Sequence, residues 1–216
     1  MTFDKKLRTS LHSRAPIIYL ITRGNLNPQN FSSESKKTLE IIEFAAETQV
    51  SLIQIREKLL TARLRLKLAR EAVSITRKSD TKVLINERAD IAAAAGADGI
   101  HLTSSSISPE IIRKNFQPDL IVGASTHSFT SAEKLKSQGA DFVTYGPVFP
   151  TPSKAEYGAP KGLKKLRELC ERLKPFPVLA LGGVNDENYR TVLNSGARGF
   201  AAIRFLNDLE NLGQFR

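Results

Sequence analysis

Short β-branched runs alternate along the chain with longer segments whose apolar positions recur at helical spacing. The short runs predict eight strands: Ile17–Ile21, Leu52–Ile55, Lys82–Ile85, Gly99–Leu102, Leu120–Gly123, Phe142–Tyr145, Val178–Leu181 and Gly199–Ile203. The longer segments predict helices between them: Ser35–Thr48, Thr61–Lys78, Asp90–Ala95, Ser108–Lys114, Ser128–Ser137, Leu163–Leu173 and Asp186–Asn194. After the last strand, Asn207–Arg216 leaves room only for a short closing helix.

This alternation predicts parallel strands joined by right-handed helical crossovers. About eight such units with short connections favour an α/β fold, a closed (β/α)₈ TIM barrel. No linker or low-complexity stretch interrupts the pattern, so we expect a single domain over residues 1–216, with 1–15 as an N-terminal arm. An open doubly wound sheet is the alternative architecture.

Composition narrows the class of protein. No apolar run approaches the roughly 18 residues of a membrane span, and the polar, basic start argues against a secretory signal. The single cysteine, Cys170, allows no internal disulfide and fits a reducing cytoplasm. We therefore expect a cytoplasmic protein with no membrane partner. The sequence admits a homodimer but does not establish one.

The net charge of +10 raises the question of nucleic-acid binding. The cations between Lys58 and Lys78 are spread around a predicted helix, and the chain has no Trp and no zinc-finger pattern. We therefore expect no nucleic-acid partner. A solvated basic surface of this kind attracts anionic, phosphorylated small molecules instead.

The most informative segment follows the sixth predicted strand, from Tyr145 to Lys154. Gly and Pro end the strand, and the hydroxyls of Thr151 and Ser153 and the ammonium of Lys154 come next. Several donors and one compact positive charge on a short loop are what a phosphate group requires. The alternative is an ordinary surface loop.

Other polar residues stand at or beyond the ends of the second and third strands, where a barrel carries its active site. The alternation of side chains along a strand turns Gln54 and Arg56 inward. A guanidinium there requires an anion, either a ligand or the neighbouring Glu57. Asn86 and Glu87 place an amide and a carboxylate on the same rim.

The fourth and fifth strands bring two histidines and a serine. His101 should point inward between two outward apolar neighbours, a pattern more typical of a packed residue than of a catalyst. Ser125 and His127 follow the fifth strand. His127 could carry a proton, because imidazole titrates near neutral pH, or it could cap the following helix.

The last two strands end in a second phosphate feature. Gly182 and Gly183 would let a phosphate approach bare backbone N–H groups, and Arg204 follows the eighth strand beside a possible helix start. The loops after strands seven and eight commonly form a phosphate cradle in TIM barrels. This cradle predicts a ligand group and not a particular reaction.

Together these segments resemble the thiamin phosphate synthase and thiazole tautomerase superfamily. The matching stretches are Gln54–Lys58, Ile85–Asn86, Ala97–Leu102, Gly123–Ser128, Gly146–Lys154 and Ala180–Gly183. The resemblance covers most of the chain in the expected order. It implies a TIM barrel and an enzyme of thiamin biosynthesis.

The synthase branch implies a transferase reaction. Hydroxymethylpyrimidine diphosphate loses pyrophosphate, and the nitrogen of thiazole phosphate captures the resulting cation to give thiamin phosphate. By resemblance, the residues that hold the pyrimidine diphosphate are Gln54, Arg56, Lys58 and Asn86. Ser125 would lie at the pyrimidine, and Thr151, Ser153 and Lys154 would bind the diphosphate and the thiazole phosphate.

This sequence departs from the synthase pattern at the Mg²⁺ site that the resemblance implies. Glu87 stands where the synthase has an Asp ligand, so a carboxylate is retained. Ser106 replaces the second carboxylate ligand, and a neutral hydroxyl is a poor ligand for a hard cation. Two alternatives stay open: a metal-independent thiazole tautomerase with His127 as acid and base, and a non-catalytic phosphate-binding paralogue.

Overall fold

The strands of this protein close into a parallel barrel in the order β1 to β8, with β8 paired to β1. The computed structural model describes residues 15–116, 119–151 and 159–216. The strands are β1 Ile17–Ile21, β2 Leu52–Ile55, β3 Lys82–Asn86, β4 Gly99–Leu102, β5 Ile121–Thr126, β6 Phe142–Tyr145, β7 Val178–Leu181 and β8 Gly199–Ala202. The architecture is therefore the predicted (β/α)₈ TIM barrel, and the open sheet is excluded.

The helices lie between successive strands and after the last one. They are α1 Phe31–Ala46, α2 Ala62–Thr76, α3 Ala89–Ala95, α4 Pro109–Asn115, α5 Phe129–Ser137, α6 Gly162–Leu173, α7 Tyr189–Asn194 and α8 Leu209–Gly213. A 3₁₀ turn, Phe205–Asn207, precedes α8. Within the described residues, the helices are too short or too polar to cross a lipid bilayer.

The main differences from the predicted boundaries have local causes. Strand β5 extends to Thr126 rather than Gly123, because Ser125 and Thr126 stay in register with β6. Helix α1 begins at Phe31 rather than Ser35, because the buried Phe31 ring packs in the core. The residues just after Phe31 are polar, so the hydrophobic pattern did not indicate this start. Helix α7 begins at Tyr189 rather than Asp186, because a reciprocal turn between Asn185 and Asn188 precedes it.

Apolar side chains form buried cores on both sides of the strands. The outward side chains pack against the helices and form the larger core, which includes Ile53, Ile55 and Phe200. The inward side chains fill the barrel: Ile17, Tyr19, Ile21, Leu52, Leu84, Ile121, Phe142, Leu179 and Ala201. The barrel is thus a packed core and not a pore, as expected for eight strands.

Two carboxylates hold the amino-terminal end of the barrel. Asp98 Oδ2 accepts the backbone N–H of Val83 at 2.8 Å, and Asp141 Oδ2 accepts that of Val122 at 2.7 Å. Each carboxylate precedes one strand and binds the strand before it. The Arg113 guanidinium also donates to Asp141 at 2.6 Å. These contacts lie at the end of the barrel opposite the expected active site.

Candidate active site

The floor of the site is an aromatic cluster inside the barrel. The rings of Tyr19 and Phe142 meet edge to face at 5.6 Å between centroids, and His101 lies 5.6 Å from the first and 6.0 Å from the second. Gly123 makes room for this cluster, because a Cβ there would lie 2.3 Å from the Phe142 ring and 2.9 Å from His101 Nδ1. The barrel interior is therefore closed beneath its mouth.

A continuous chain of hydrogen bonds crosses this floor. Gln54 Nε2 donates to the Tyr19 hydroxyl at 2.8 Å, and that oxygen lies 3.1 Å from His101 Nδ1. On the other side of the ring, His101 Nε2 lies 2.9 Å from Ser125 Oγ, which lies 3.2 Å from Thr144 Oγ1. The inward directions predicted for Gln54 and His101 are confirmed.

His101 is held in its neutral form. Burial, and to a smaller degree the nearby positive charge of Arg56, lower the pKa of His101 to about 3. The expectation that His101 is a packed, hydrogen-bonded residue is therefore supported by its surroundings. Because a neutral imidazole has one donor nitrogen and one acceptor nitrogen, the ring can still link the hydrogen bonds on its two sides.

Above the floor, a carboxylate and an amide form one side of the mouth. Asn86 is buried at the end of β3, and its Nδ2 donates to Glu87 Oε2 at 2.8 Å. Lys58 Nζ lies 3.3 Å from the same carboxylate oxygen, while the Thr103 hydroxyl donates to Oε1 at 2.5 Å. Among the described residues, no donor lies within hydrogen-bond distance of Asn86 Oδ1. A buried acceptor of this kind suits a hydrogen-bond donor on a ligand.

Glu87 has both an unusual backbone and a shifted titration. It is the one described residue other than glycine with a left-handed φ, at 61°. Burial alone would raise the pKa of Glu87, but the Thr103 hydrogen bond and the Lys58 charge outweigh it, so this pKa lies below its ordinary value. The carboxylate is therefore kept ionised at the mouth.

The Glu87 carboxylate and the hydroxyls beside it are the oxygen groups at the mouth that could bind Mg²⁺. Ser106 Oγ accepts the backbone N–H of Thr103 at 2.9 Å and lies 3.2 Å from the Thr103 hydroxyl, next to the carboxylate. Within the described ranges, no three His, Cys, Asp or Glu side chains group closely enough to hold an ion by themselves. Mg²⁺ commonly needs only one or two carboxylates when substrate phosphates complete its shell.

Arg56 and Glu57 do not form an ion pair, so Glu57 is not the anion that we considered for the Arg56 guanidinium. The buried Glu57 carboxylate accepts the backbone N–H groups of Gly24 and Leu26, each at 2.9 Å, and so fixes the β1–α1 loop. The Arg56 guanidinium packs against Gly24, whose added Cβ would lie 3.1 Å from Nη1. Glu57 is thus a structural residue that sequence reasoning considered only as an ion-pair partner.

The paired glycines after β7 are required by close packing. A Cβ on Gly182, where φ is 93°, would lie 2.6 Å from Pro147 Cβ. One on Gly183, where φ is 70°, would lie 2.6 Å from the Pro150 carbonyl oxygen. The β6 and β7 loops therefore meet tightly, and the Phe149 N–H donates to the Gly182 carbonyl at 3.0 Å.

The loops after β6 and β8 meet at the rim. Arg204 Nη2 donates to the Thr151 hydroxyl at 3.2 Å, and Arg204 precedes the 3₁₀ turn. The predicted phosphate ligands Ser153 and Lys154 lie outside the described residues, as do residues 1–14, most of the predicted N-terminal arm.

His127 lies on the rim between β5 and β6 and does not cap the following helix. Its Nδ1 lies 2.5 Å from the Gly146 carbonyl oxygen, so Nδ1 carries the hydrogen. Ser128 caps α5 instead, accepting the Ser131 N–H at 3.2 Å. The exposed ring lines a cleft with Tyr145, Lys161 and Lys165.

Sequence reasoning missed two residues on which the site depends. Tyr19 stands in the uniformly apolar strand Ile17–Ile21, so the hydrophobic pattern could not show which face carries it. Thr103 follows β4 in a hydroxyl-rich loop. Its contact with Glu87 depends on the pairing of β3 with β4.

Comparison with known proteins places the chain among thiamin enzymes. The family model TMP-TENI, described as thiamine monophosphate synthase, matches residues 18–206. A thiamine-phosphate synthase of Clostridium novyi is 37% identical over 187 residues, which cover 86% of this chain and 88% of the relative. A protein of Aquifex aeolicus whose name also contains the words thiamine-phosphate synthase is 41% identical over 188 residues. The match covers 87% of this chain and 96% of that relative.

A solved structure agrees with these relatives. Thiamine phosphate pyrophosphorylase from Pyrococcus furiosus superposes with a TM-score of 0.76 at 29% identity. The match covers 99% of this chain and 97% of that one. The similarity therefore extends over the whole barrel.

Proposed function

Because this chain belongs to the thiamine monophosphate synthase family, we propose that it joins hydroxymethylpyrimidine diphosphate to thiazole phosphate. The C–O bond between the pyrimidine methylene and the diphosphate breaks, and the pyrophosphate leaves with the bonding electrons. The lone pair of the thiazole nitrogen then forms the new C–N bond. The products are thiamin phosphate and pyrophosphate.

The proposal rests on one observation, the position of uncharged hydrogen-bonding groups next to charged groups in the site. Uncharged hydrogen-bonding groups lie at the floor, on Gln54 and Ser125, and above it, on Asn86. The charged groups of Lys58 and Glu87 lie at the mouth directly beside them. A neutral heterocycle with an anionic diphosphate tail matches this division. The acceptor Asn86 Oδ1 would take a hydrogen from the amino group of the pyrimidine.

The cations at the mouth would stabilise the departing diphosphate. Lys58 and Arg56 supply positive charge, and Thr151, Ser153, Lys154 and Arg204 would bind the phosphates, with Gly182 and Gly183 shaping the loop beside them. Glu87 would hold Mg²⁺, which when bound neutralises negative charge on the leaving group. The +10 net charge of the chain supports binding of such anions. We also propose a cytoplasmic location, supported by the single cysteine.

A coupling assay tests the proposal. The full chain, supplied with both substrates and MgCl₂, should release pyrophosphate and form thiamin phosphate in equal amounts. Lys58→Ala should raise the KM for the pyrimidine diphosphate about tenfold or more, because a charge-assisted contact is lost. Lys37→Ala is the matched control, since the exposed Lys37 side chain on α1 pairs only with Glu34, at 3.0 Å, among the ion pairs of the described residues.

The second candidate function is thiazole tautomerisation. The Nδ1–H of His127 donates to the Gly146 carbonyl, so Nε2 is the ring nitrogen that would accept a proton in this reaction. Absence of coupling together with isomerisation of a carboxylated thiazole phosphate, lost in His127→Ala, would replace the synthase proposal with this one. Phosphate binding without either reaction would identify a binding protein.

A further inference from the structure

The hydrogen-bond chain beneath the site joins five strands. Its members come from β2, β1, β4, β5 and β6 in that spatial order: Gln54, Tyr19, His101, Ser125 and Thr144. All except Ser125 are buried. Ser125 is the member placed at the substrate by the proposed function, so the chain connects the buried floor to the reacting ligand.

The contact of Gln54 with Tyr19 has a defined direction, and it favours one direction for the whole chain. Gln54 donates to the Tyr19 oxygen, so the Tyr19 hydrogen is available for His101 Nδ1, 3.1 Å away. A neutral imidazole that accepts at Nδ1 carries its hydrogen on Nε2. This hydrogen then points to Ser125 Oγ at 2.9 Å. The Ser125 oxygen is occupied as an acceptor from below.

We infer that Tyr19 and His101 are positioning residues that fix Ser125 as a hydrogen-bond donor toward the bound substrate. Resting on the proposed function, the inference specifies that the pyrimidine presents an acceptor ring nitrogen, and not an N–H group, to Ser125. Without ligand, the Ser125 hydrogen can go to Thr144 Oγ1 at 3.2 Å. With ligand, it turns to the ring.

Burial supports the fixed direction. Both ring nitrogens of the buried His101 already have partners, the Tyr19 hydroxyl at 3.1 Å from Nδ1 and Ser125 Oγ at 2.9 Å from Nε2. Gly123 and Phe142 pack against the ring, with the Phe142 ring centroid 6.0 Å away. The orientation of the Gln54 amide therefore sets the hydrogen on every later member of the chain.

Nitrogen NMR of the ligand-free protein tests the direction. The chain contains three histidines, His12, His101 and His127, so His12→Gln and His127→Gln variants assign the ¹⁵N signals. We expect His101 Nε2 to carry the hydrogen and Nδ1 to show the shift of a bare, accepting nitrogen. A hydrogen on Nδ1 would reverse the chain and overturn the inference.

A Tyr19→Phe variant tests the consequence for binding. It keeps the ring in the aromatic cluster and removes only the hydroxyl, so His101 should lose its tautomer preference. The Kd of hydroxymethylpyrimidine diphosphate, measured by calorimetry, should rise about tenfold, whereas that of thiazole phosphate should not change. Unchanged affinity for the pyrimidine would overturn the role given to Tyr19.

Tyr189→Phe is the matched control, because Tyr189 packs with Phe200 and Phe205 outside the barrel. The wild-type NMR result does not depend on the folding of any Tyr19 variant. Binding and tautomer as expected without coupling would refute the proposed reaction and leave the positioning role intact. Coupling activity together with a hydrogen on His101 Nδ1 would support the proposed reaction and refute the positioning role.

Discussion

Ser106 shows how one side chain changes the chemistry of the mouth. Its hydroxyl lies 3.2 Å from that of Thr103, which in turn donates to Glu87 at 2.5 Å. The resemblance places a carboxylate at this position. The serine therefore removes one negative charge from the immediate neighbourhood of the proposed metal ligand.

Ser106→Asp should restore that charge. We expect its affinity for magnesium pyrophosphate to rise roughly tenfold, because a second carboxylate adds a favourable oxygen ligand for a hard cation. Calorimetric titration of MgCl₂ with pyrophosphate measures the change. Ser104→Asp adds the same charge at an exposed position of the same loop and is the control. Equal gains in both variants would mean a general charge effect.

The residues of the site differ in how well a sequence can reveal them. Gln54 and His101 were predicted to point inward because their strand neighbours alternate with them in polarity. Tyr19 was not singled out, because β1 carries apolar residues on both of its faces and so shows no alternation. The contact of Thr103 with Glu87 depends on strand register and loop conformation, which the local pattern does not contain.

At the scale of elements, Gly123 decides whether β5 can pass the aromatic cluster. A methyl group there would overlap the Phe142 ring. Gly123→Ala should lower the free energy of unfolding by about 1–3 kcal/mol, as overpacking of a filled core does. Urea denaturation measures this loss. Gly213→Ala is the control, since nothing lies within 4 Å of its added Cβ, and equal losses in both would contradict the packing argument.

The elements themselves were largely predictable. Five strands have the predicted bounds, because buried parallel strands form short apolar runs between Gly, Pro and polar residues. The helix starts were less accurate. The start of α1 is set by the tertiary contact of Phe31, and that of α7 by the Asn185–Asn188 turn. Neither the contact nor the turn leaves a periodic pattern.

At the scale of the whole molecule, the buried His101 should make the fold sensitive to acid. Its pKa is about 3 when folded, against 6.5 when exposed, so the unfolded chain binds the extra proton between these values. This contribution to stability is complete above pH 6.5 and is lost as the pH falls toward 3. The expected slope is about 1.4 kcal/mol per pH unit.

Denaturation of wild type and His101→Gln between pH 7 and pH 4.5 measures this slope by difference, so that contributions from other groups cancel. The wild type should lose more stability than the variant as the pH falls. His127→Gln controls for removal of an imidazole elsewhere. Parallel curves for wild type and His101→Gln would show that the buried ring takes up a proton without unfolding.

The carboxylates of Asp98 and Asp141 bind strand N–H groups at the end of the barrel away from the mouth. Fold-holding contacts and substrate-facing residues thus occupy opposite ends of the same strands. Substitutions at the mouth, such as Ser106→Asp, therefore leave these contacts in place. In this architecture the residues that face the substrate can therefore change during evolution while the contacts that stabilise the fold are kept.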